Sequence, residues 1–417
     1  MNVKPFGGYR YAAINGGDVS AVVAPPYDQI DDQTQDTLLT MSPHNVVRVT
    51  LPRDERDVDR YQAAHRVLDT WLAEGVWAAD DRAAIYPYQQ TYTIDGKTIT
   101  RSAFIALGEV SEYARGVVLP HERTHTGPKK DRMQLLEATG ADTGLLFMLV
   151  SDPDRAILRA TAPTGAPIAE ARDLKGERHR LWRITDAAAI ATIRALMAPK
   201  SVIIADGHHR YETAVAYAKN HPGAADKLMA FCALEAPGLT ILPNHRLVHH
   251  VPGFSLDKLA SAARAWFEVA PFGGDPTTLK PTSRTIGVVA GGKAMVFRLR
   301  DDAARTIVWP ARTSRAWREL SVSVLHEGLL KPLLGITDEK LDARTHVDYT
   351  ADRAEAVRSA RDGRCQAAFL IAATTSAELS AVVDGGELMP QKSTHFYPKM
   401  LDGLVWHRLP GVGKDGL

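Results

Sequence analysis

An apolar, strand-like run, Val202-Ile203-Ile204-Ala205, stops at Asp206-Gly207, and His208-His209-Arg210-Tyr211-Glu212-Thr213-Ala214 then turns helical. A buried strand that passes through an Asp-Gly turn into a helix commits this part of the chain to a layered architecture of helices on a sheet. The junction also gathers polar groups at the mouth of a helix, where the first backbone amides have no partner within the helix and the dipole is positive. Such a helix start is a natural seat for phosphate. Arg210 offers a planar fork to phosphate oxygens, Gly207 lets an anion approach because it has no Cβ, and His208 and His209 can donate to the same oxygens. Asp206, at the carboxyl end of the strand, is suited to holding Mg²⁺ through one oxygen or a water. The alternative is a structural Asp-Gly turn flanked by surface histidines.

The 417 residues exceed one ordinary core and predict two to three domains. Texture suggests an N-terminal α/β region over 1–115, a core over 116–252 and a C-terminal α/β domain over 253–417. Lys+Arg 50 against Asp+Glu 49 leaves a net charge of +1, so no whole-chain basic field argues for nucleic acid. No apolar stretch approaches the ~20 residues that span a bilayer. Cys232 and Cys365 make no disulfide framework and read as buried thiols. With an N-terminus that lacks a signal-peptide core, this predicts a cytoplasmic protein.

Along the chain, residues 21–24 read as a short strand before Pro25-Pro26-Tyr27-Asp28. Residues 58–75 have helical spacing, with Tyr61, Ala64, Val67, Leu68, Trp71 and Leu72 on one side and Gly75 as the stop. Residues 85–93 and 97–108 predict a hairpin about Asp95-Gly96. Further elements are predicted at 133–138 (helix), 145–150 (strand), 186–197 (helix capped by Thr185 or Asp186) and 239–242 (strand). Residues 249–253 read as a linker, and 322–334 as a helix.

Four other segments carry candidate chemistry. His121-Glu122-Arg123-Thr124-His125 matches the zinc-protease pattern formally, but that pattern needs a helix, and Pro120 and Gly127-Pro128 bracket it. The better use of Glu122 is as a carboxylate that accepts a hydroxyl proton, among the cations Arg123, Lys129, Lys130 and Arg132. Pro25-Pro26 rigidifies the backbone ahead of Tyr27 and Asp28, for substrate or metal, or simply as a turn. Lys392, Ser393, Thr394 and Lys399 in the 390–399 segment are suitable phosphate contacts beside His395, Phe396 and Tyr397; the glycines of a Walker A loop are missing. Pro243-Asn244-His245-Arg246 adds His245 and Arg246 to the candidates for an anion pocket.

Together, Ala24-Pro25-Pro26-Tyr27-Asp28, His121-Glu122-Arg123-Thr124, the 205–214 segment, Pro243-Asn244-His245-Arg246 and the 389–399 segment resemble the motifs of a bacterial and archaeal family known as a domain of unknown function. More distantly, Asp206-Gly207-His208-His209-Arg210 with Ala214 is similar to the nucleotide-phosphate motif of the ParB/sulfiredoxin superfamily, which includes free serine kinases. That resemblance implies an α/β (α+β) fold with a ParB/sulfiredoxin-like nucleotide-binding core between N- and C-terminal extensions. It implies Glu122 as base, Asp206 near Mg²⁺, and Gly207, His208, His209 and Arg210 as phosphate cradle, with ATP, ADP or CTP as the nucleotide. Glu122, Asp206 and His209 form the candidate catalytic set. Tyr27, Asp28, His121, His245 and Arg246 are the candidate substrate contacts. His208 stands where sulfiredoxin has its catalytic cysteine, which argues against reduction chemistry.

The expectation is a Mg²⁺-dependent transfer of phosphate from a nucleotide to a small hydroxyl compound, free L-serine foremost. A ParB-like nucleotide switch without turnover and a phosphodiester hydrolase are the alternatives. The nucleotide base and the oligomeric state are left open.

Overall fold

The computed structural model describes residues 1–12, 17–54, 56–123, 127–221 and 223–410. The chain is α+β and forms two compact units: Met1–Pro120, Thr124–Thr240 and Pro398–Leu417 in the first, His121–Arg123 and Ile241–Tyr397 in the second. The units do not follow the three regions read from texture, because strands distant in sequence pair. Residues 249–253, read as a linker, lie inside the second unit, where Val251 N–H bonds Gln366. No helix among the described residues is long and apolar enough to cross a membrane.

The first unit is built on a mixed sheet of nine strands among the described residues. Its hairpin, Tyr86–Ile94 with Lys97–Glu109, turns at Asp95 and Gly96, both at positive φ (49° and 75°), as a tight two-residue hairpin turn requires. Next to the hairpin comes Asp226–Ala233, then Leu146–Val150, Val202–Asp206 and Val118–Leu119. Leu146–Val150 is parallel to Asp226–Ala233 and antiparallel to Val202–Asp206. Strands buried on both faces read as unbroken apolar runs, which is how Leu146–Val150 and residues 202–205 look in sequence.

The helices of this unit form for legible reasons. Ala187–Met197 begins where the Asp186 carboxylate accepts from Ala189 N–H at 2.8 Å, and sets Ile190, Ile193 and Met197 into the core with Tyr211 and Ala214. Arg60–Ala73 is capped by Asp59, buries Ala63, Ala64, Leu68 and Trp71, and is followed by Gly75 at φ +71°. The helix Gly127–Thr139 starts earlier than the predicted 133–138, so Lys129, Lys130 and Arg132 belong to a helix rather than a loop.

Residues 21–24 are not a strand. Tyr11 and Asn45 side chains donate to Val22, Ala21 and Val23 carbonyls, leaving one isolated bridge, Ala24 to Asp402. An apolar run alone does not distinguish a strand from a buried turn served by side chains.

The second unit holds an antiparallel sheet ordered Phe267–Pro271, Lys293–Leu299, Thr285–Ala290, Ala367–Leu370, His245–Val248, Val347–Thr350. Arg353–Arg361 packs Ala356, Val357 and Ala360 against it, with Val289, Ala368 and Leu370. The helix expected at 322–334 is interrupted by a π-helical turn, His326–Leu330. Cys232 and Cys365 are free and buried, and burial pushes each thiol up to about 11.

Leu146 is fully enclosed at the centre of the first unit's core. Leu146→Ala should lower unfolding free energy by about 2–5 kcal/mol in denaturant titration, through lost apolar transfer and a residual cavity.

Candidate functional site

The first group of candidate residues is made by a bulge and a glycine. Pairing between Val202–Asp206 and Leu146–Val150 runs regularly to Ile204 and Met148, then skips so that Asp206 faces Phe147. Such a bulge re-aims a side chain at a strand end. Gly207 follows at φ +97°, and a Cβ there would meet Leu146 Cδ2 at 2.6 Å and the Arg210 guanidinium at 3.2 Å. Glycine is therefore demanded both by conformation and by space. The helix His208–Asn220 starts at once, without a side-chain cap.

Arg210 is buried and folds back over the glycine. Its Nη1 donates to Leu145 O at 2.6 Å and its Nη2 reaches Asp206 Oδ2 at 3.3 Å. Lys399 Nζ lies 3.4 Å from Asp206 Oδ1 on the other side. That lysine is positioned through its backbone: Gln90 Nε2 donates to Lys399 O at 2.8 Å and the buried Arg101 to Pro398 O. Burial alone would raise the Asp206 carboxyl, but Lys399, Arg210 and His208 outweigh it and hold it below the usual carboxylate range. Asp206 is thus an anion between two cations at the start of a helix. His208 and His209 are half-buried in the first helical turn, and His209 O accepts from Thr213 Oγ1.

Beside this turn is a cavity of about 60 Å³ that Arg210 shares. Its lining brings in Tyr27, whose ring lies 4.1 Å beneath the Arg132 guanidinium, together with Thr50, Arg132, Asp142, Lys227 and Asp402. Lys227 is ion-paired with Asp142. Asp402 is almost wholly buried; burial pushes its carboxyl up to about 7 against the pull of Arg210 and Lys227, with Asp28 adding to the rise. Asp28 itself is exposed. Lys129, expected among the cations around Glu122, is ion-paired with Glu212. Asp402, Thr50 and Lys227 had no motif to mark them; Asp402 lies three residues beyond Lys399, and that proximity was the one signal in the sequence.

The second group belongs to the other unit. His121 is buried, Glu122 half-buried. Thr394 Oγ1 lies 2.9 Å from His121 Nε2 and donates to Glu122 Oε1 at 3.5 Å; His121 Nε2 is 3.5 Å from the same carboxylate oxygen. The 390–394 turn is held from behind: Asn244 Nδ2 donates to Lys392 O at 3.1 Å and Thr394 O at 3.0 Å, and Thr374 to Ser393 O. Lys392 has φ +55°, and Ser393 donates to Pro390 O.

His245 and Arg246 lie in the strand His245–Val248 and are fully buried. His245 Nδ1 accepts from Ile371 N–H, and burial, with Arg353 and Arg246, drives its pKa down to about 3. Arg246 donates to Asn244 O and Gln391 O, so it braces the Thr394 turn. Burial lowers its pKa to about 10, with Tyr349 and Glu122 opposing.

His125 of the formal zinc pattern lies outside the described residues. Among the described residues no group of three or more His, Cys, Asp and Glu is arranged to hold a metal ion. Asp206 would hold Mg²⁺ as a single carboxylate ligand.

Gly207→Ala should cost about 1–3 kcal/mol of stability and displace Arg210, read by thermal unfolding. Asp402 gives a pH signature. Its folded pKa, about 7, lies above the ordinary 3.8, so the folded state binds the extra proton. Its contribution is fully present below about pH 4 and is lost as pH rises through about 7. Asp402→Asn should match the wild type near pH 4 and exceed it by on the order of 2–4 kcal/mol at pH 8 in paired denaturant titrations.

A family model described as "Protein of unknown function (DUF1015)" matches residues 3–323. No curated protein matches the sequence. Among solved structures, the chain is similar to a conserved hypothetical protein from Pyrococcus furiosus, at 13% identity and TM-score 0.35 over 69% of this chain and 90% of that one. It is also similar to a free serine kinase in complex with AMP, at 12% identity and TM-score 0.35 over 67% and 83% of the two chains. SbnI with a C-terminal truncation, from Staphylococcus aureus, matches at 12% identity and TM-score 0.35 over 72% and 85%.

Proposed function

The chain belongs to the DUF1015 family, and we propose that it is a nucleotide-dependent phosphotransferase acting on a small hydroxyl compound, with free L-serine as the leading acceptor. The observation that carries this reading is Asp206, set by a bulge between Lys399 and Arg210 at a glycine-opened helix start. Phosphoryl transfer asks little covalent chemistry of a protein; it asks for positioning and for neutralisation of charge on the transferred group. A nucleotide phosphate fits a site that combines two cations with a helix N-terminus. The Asp206–Arg210 and Asp206–Lys399 contacts, at 3.3 and 3.4 Å, are long, so either cation can turn to phosphate without losing a tight pair.

Mg²⁺ is proposed to be held by Asp206 and would neutralise charge on the phosphate oxygens. Glu122 is proposed as the base toward the acceptor hydroxyl. Its surroundings suit that role. The Thr394 hydroxyl and His121 imidazole beside it orient the carboxylate, and Asn244 and Arg246 fix the Thr394 turn. Gly207, His208, His209 and Arg210 are the proposed cradle, with Lys399 as its second cation.

Incubation with ATP, ADP or CTP, Mg²⁺ and L-serine should yield phosphoserine by mass spectrometry. Glu122→Gln should lower that rate by about 100-fold or more while changing nucleotide affinity by less than about twofold. Nucleotide binding without transfer to any acceptor in a broad hydroxyl panel would instead favour a ParB-like switch, and an inert protein would sink both readings.

A further inference from the structure

Asp402 poses a problem that the phosphate turn does not solve. It is 2% exposed, its carboxylate accepts from Leu145 N–H at 3.3 Å, and no ion pair among the described residues reaches it. A buried carboxylate without a cationic partner is costly to keep. It lies on the same cavity as Thr50, 2% exposed, whose hydroxyl has no hydrogen-bond partner among the described residues. Arg132 lies on that cavity too, braced by Asp131, by Thr50 O and by the Tyr27 ring. A carboxylate, a hydroxyl and a guanidinium on one small cavity are complementary to a ligand that carries both an ammonium and a carboxylate.

We propose that this cavity is the acceptor subsite, that it takes a small amino acid bearing a hydroxyl, and that Asp402 selects the ligand's ammonium while Arg132 and Thr50 receive its carboxylate. The proposal rests on the phosphotransferase reading of the neighbouring turn, to which the cavity is joined by Arg210: that residue lines the cavity and reaches Asp206. The other charges on the wall have ion-pair partners: Lys227 pairs with Asp142, Arg210 with Asp206, and Arg132 with Asp131, which leaves Arg132 its remaining N–H groups for a carboxylate. Asp402 is the charge left for a ligand. Asp402, Arg132 and Thr50 would be specificity-determining residues.

The test is equilibrium binding to the full chain without nucleotide, by calorimetry, using L-serine, L-threonine, ethanolamine and 3-hydroxypropionate as probes. L-serine or L-threonine should bind at least about tenfold more tightly than 3-hydroxypropionate, which lacks the ammonium, and than ethanolamine, which lacks the carboxylate. Asp402→Asn keeps an acceptor for Leu145 N–H; it should weaken the amino acid about tenfold or more and leave 3-hydroxypropionate unchanged. Thr50→Val, near-isosteric, should weaken the amino acid and 3-hydroxypropionate alike. Thermal unfolding of each variant checks the fold, and Thr50→Val carries the test if Asp402→Asn does not fold. The proposal is overturned by equal affinity for L-serine and 3-hydroxypropionate, by undiminished L-serine binding in both variants, or by no binding of any amino acid at millimolar concentration. Amino-acid binding without phosphoserine formation would sustain the subsite and remove the kinase reading. Phosphoserine formation untouched by Asp402→Asn would do the reverse.

Discussion

A charged carboxylate at the end of a buried strand needs positive charge close by, and the first unit is arranged to supply it. Asp206 ends the strand Val202–Asp206 with Arg210 at 3.3 Å and Lys399 at 3.4 Å. Arg210 reaches it because Gly207 has neither a Cβ nor a right-handed φ. Lys399 reaches it because Gln90 and Arg101, on the hairpin, hold the backbone of residues 398–399. A Cβ at position 207 would clash with Leu146 and crowd the guanidinium; without the hairpin contacts the lysine loses its anchor. The sheet, the turn and the far C-terminal segment thus meet in one electrostatic requirement.

Segments decided by local chemistry were the ones legible in the sequence. Asp95-Gly96 announced its hairpin because the turn demands positive φ at both positions. Asp186 announced a helix start because a capping carboxylate serves the first-turn amides. The strand-turn-helix at 202–220 combined a buried apolar run with the glycine its turn requires. What escaped was long-range or served by side chains. Val3 pairs with Gly108 and Val118 with Val202, and no local pattern encodes such partners. Residues 21–24 looked like a strand, yet Asn45 and Tyr11 satisfy their carbonyls. The π-helical turn at His326–Leu330 is invisible to a periodicity that only distinguishes helix from strand.

The same contrast runs through the candidate residues. Asp206, Gly207, Arg210, Glu122 and Thr394 stood out because unusual polar types cluster in short motifs. Thr50, Arg132 and Asp402 share a cavity but are scattered along the chain, so only the fold assembles them. Asp402 also shows a tension common at functional positions: burial pushes it up to about 7, and an ionised carboxylate there works against stability. His245 and Arg246 illustrate the opposite case, a motif whose side chains are spent on backbone contacts within the second unit.

The central claim is that the Asp206–Arg210 turn with Lys399 receives a nucleotide's phosphates. Calorimetric titration of ATP and of adenosine into the wild type and Lys399→Met tests it most directly. ATP should bind the wild type at least about tenfold more tightly than adenosine, and Lys399→Met should erase most of that difference while adenosine affinity stays the same. Equal affinity for ATP and adenosine, or an ATP affinity indifferent to Lys399, would contradict it.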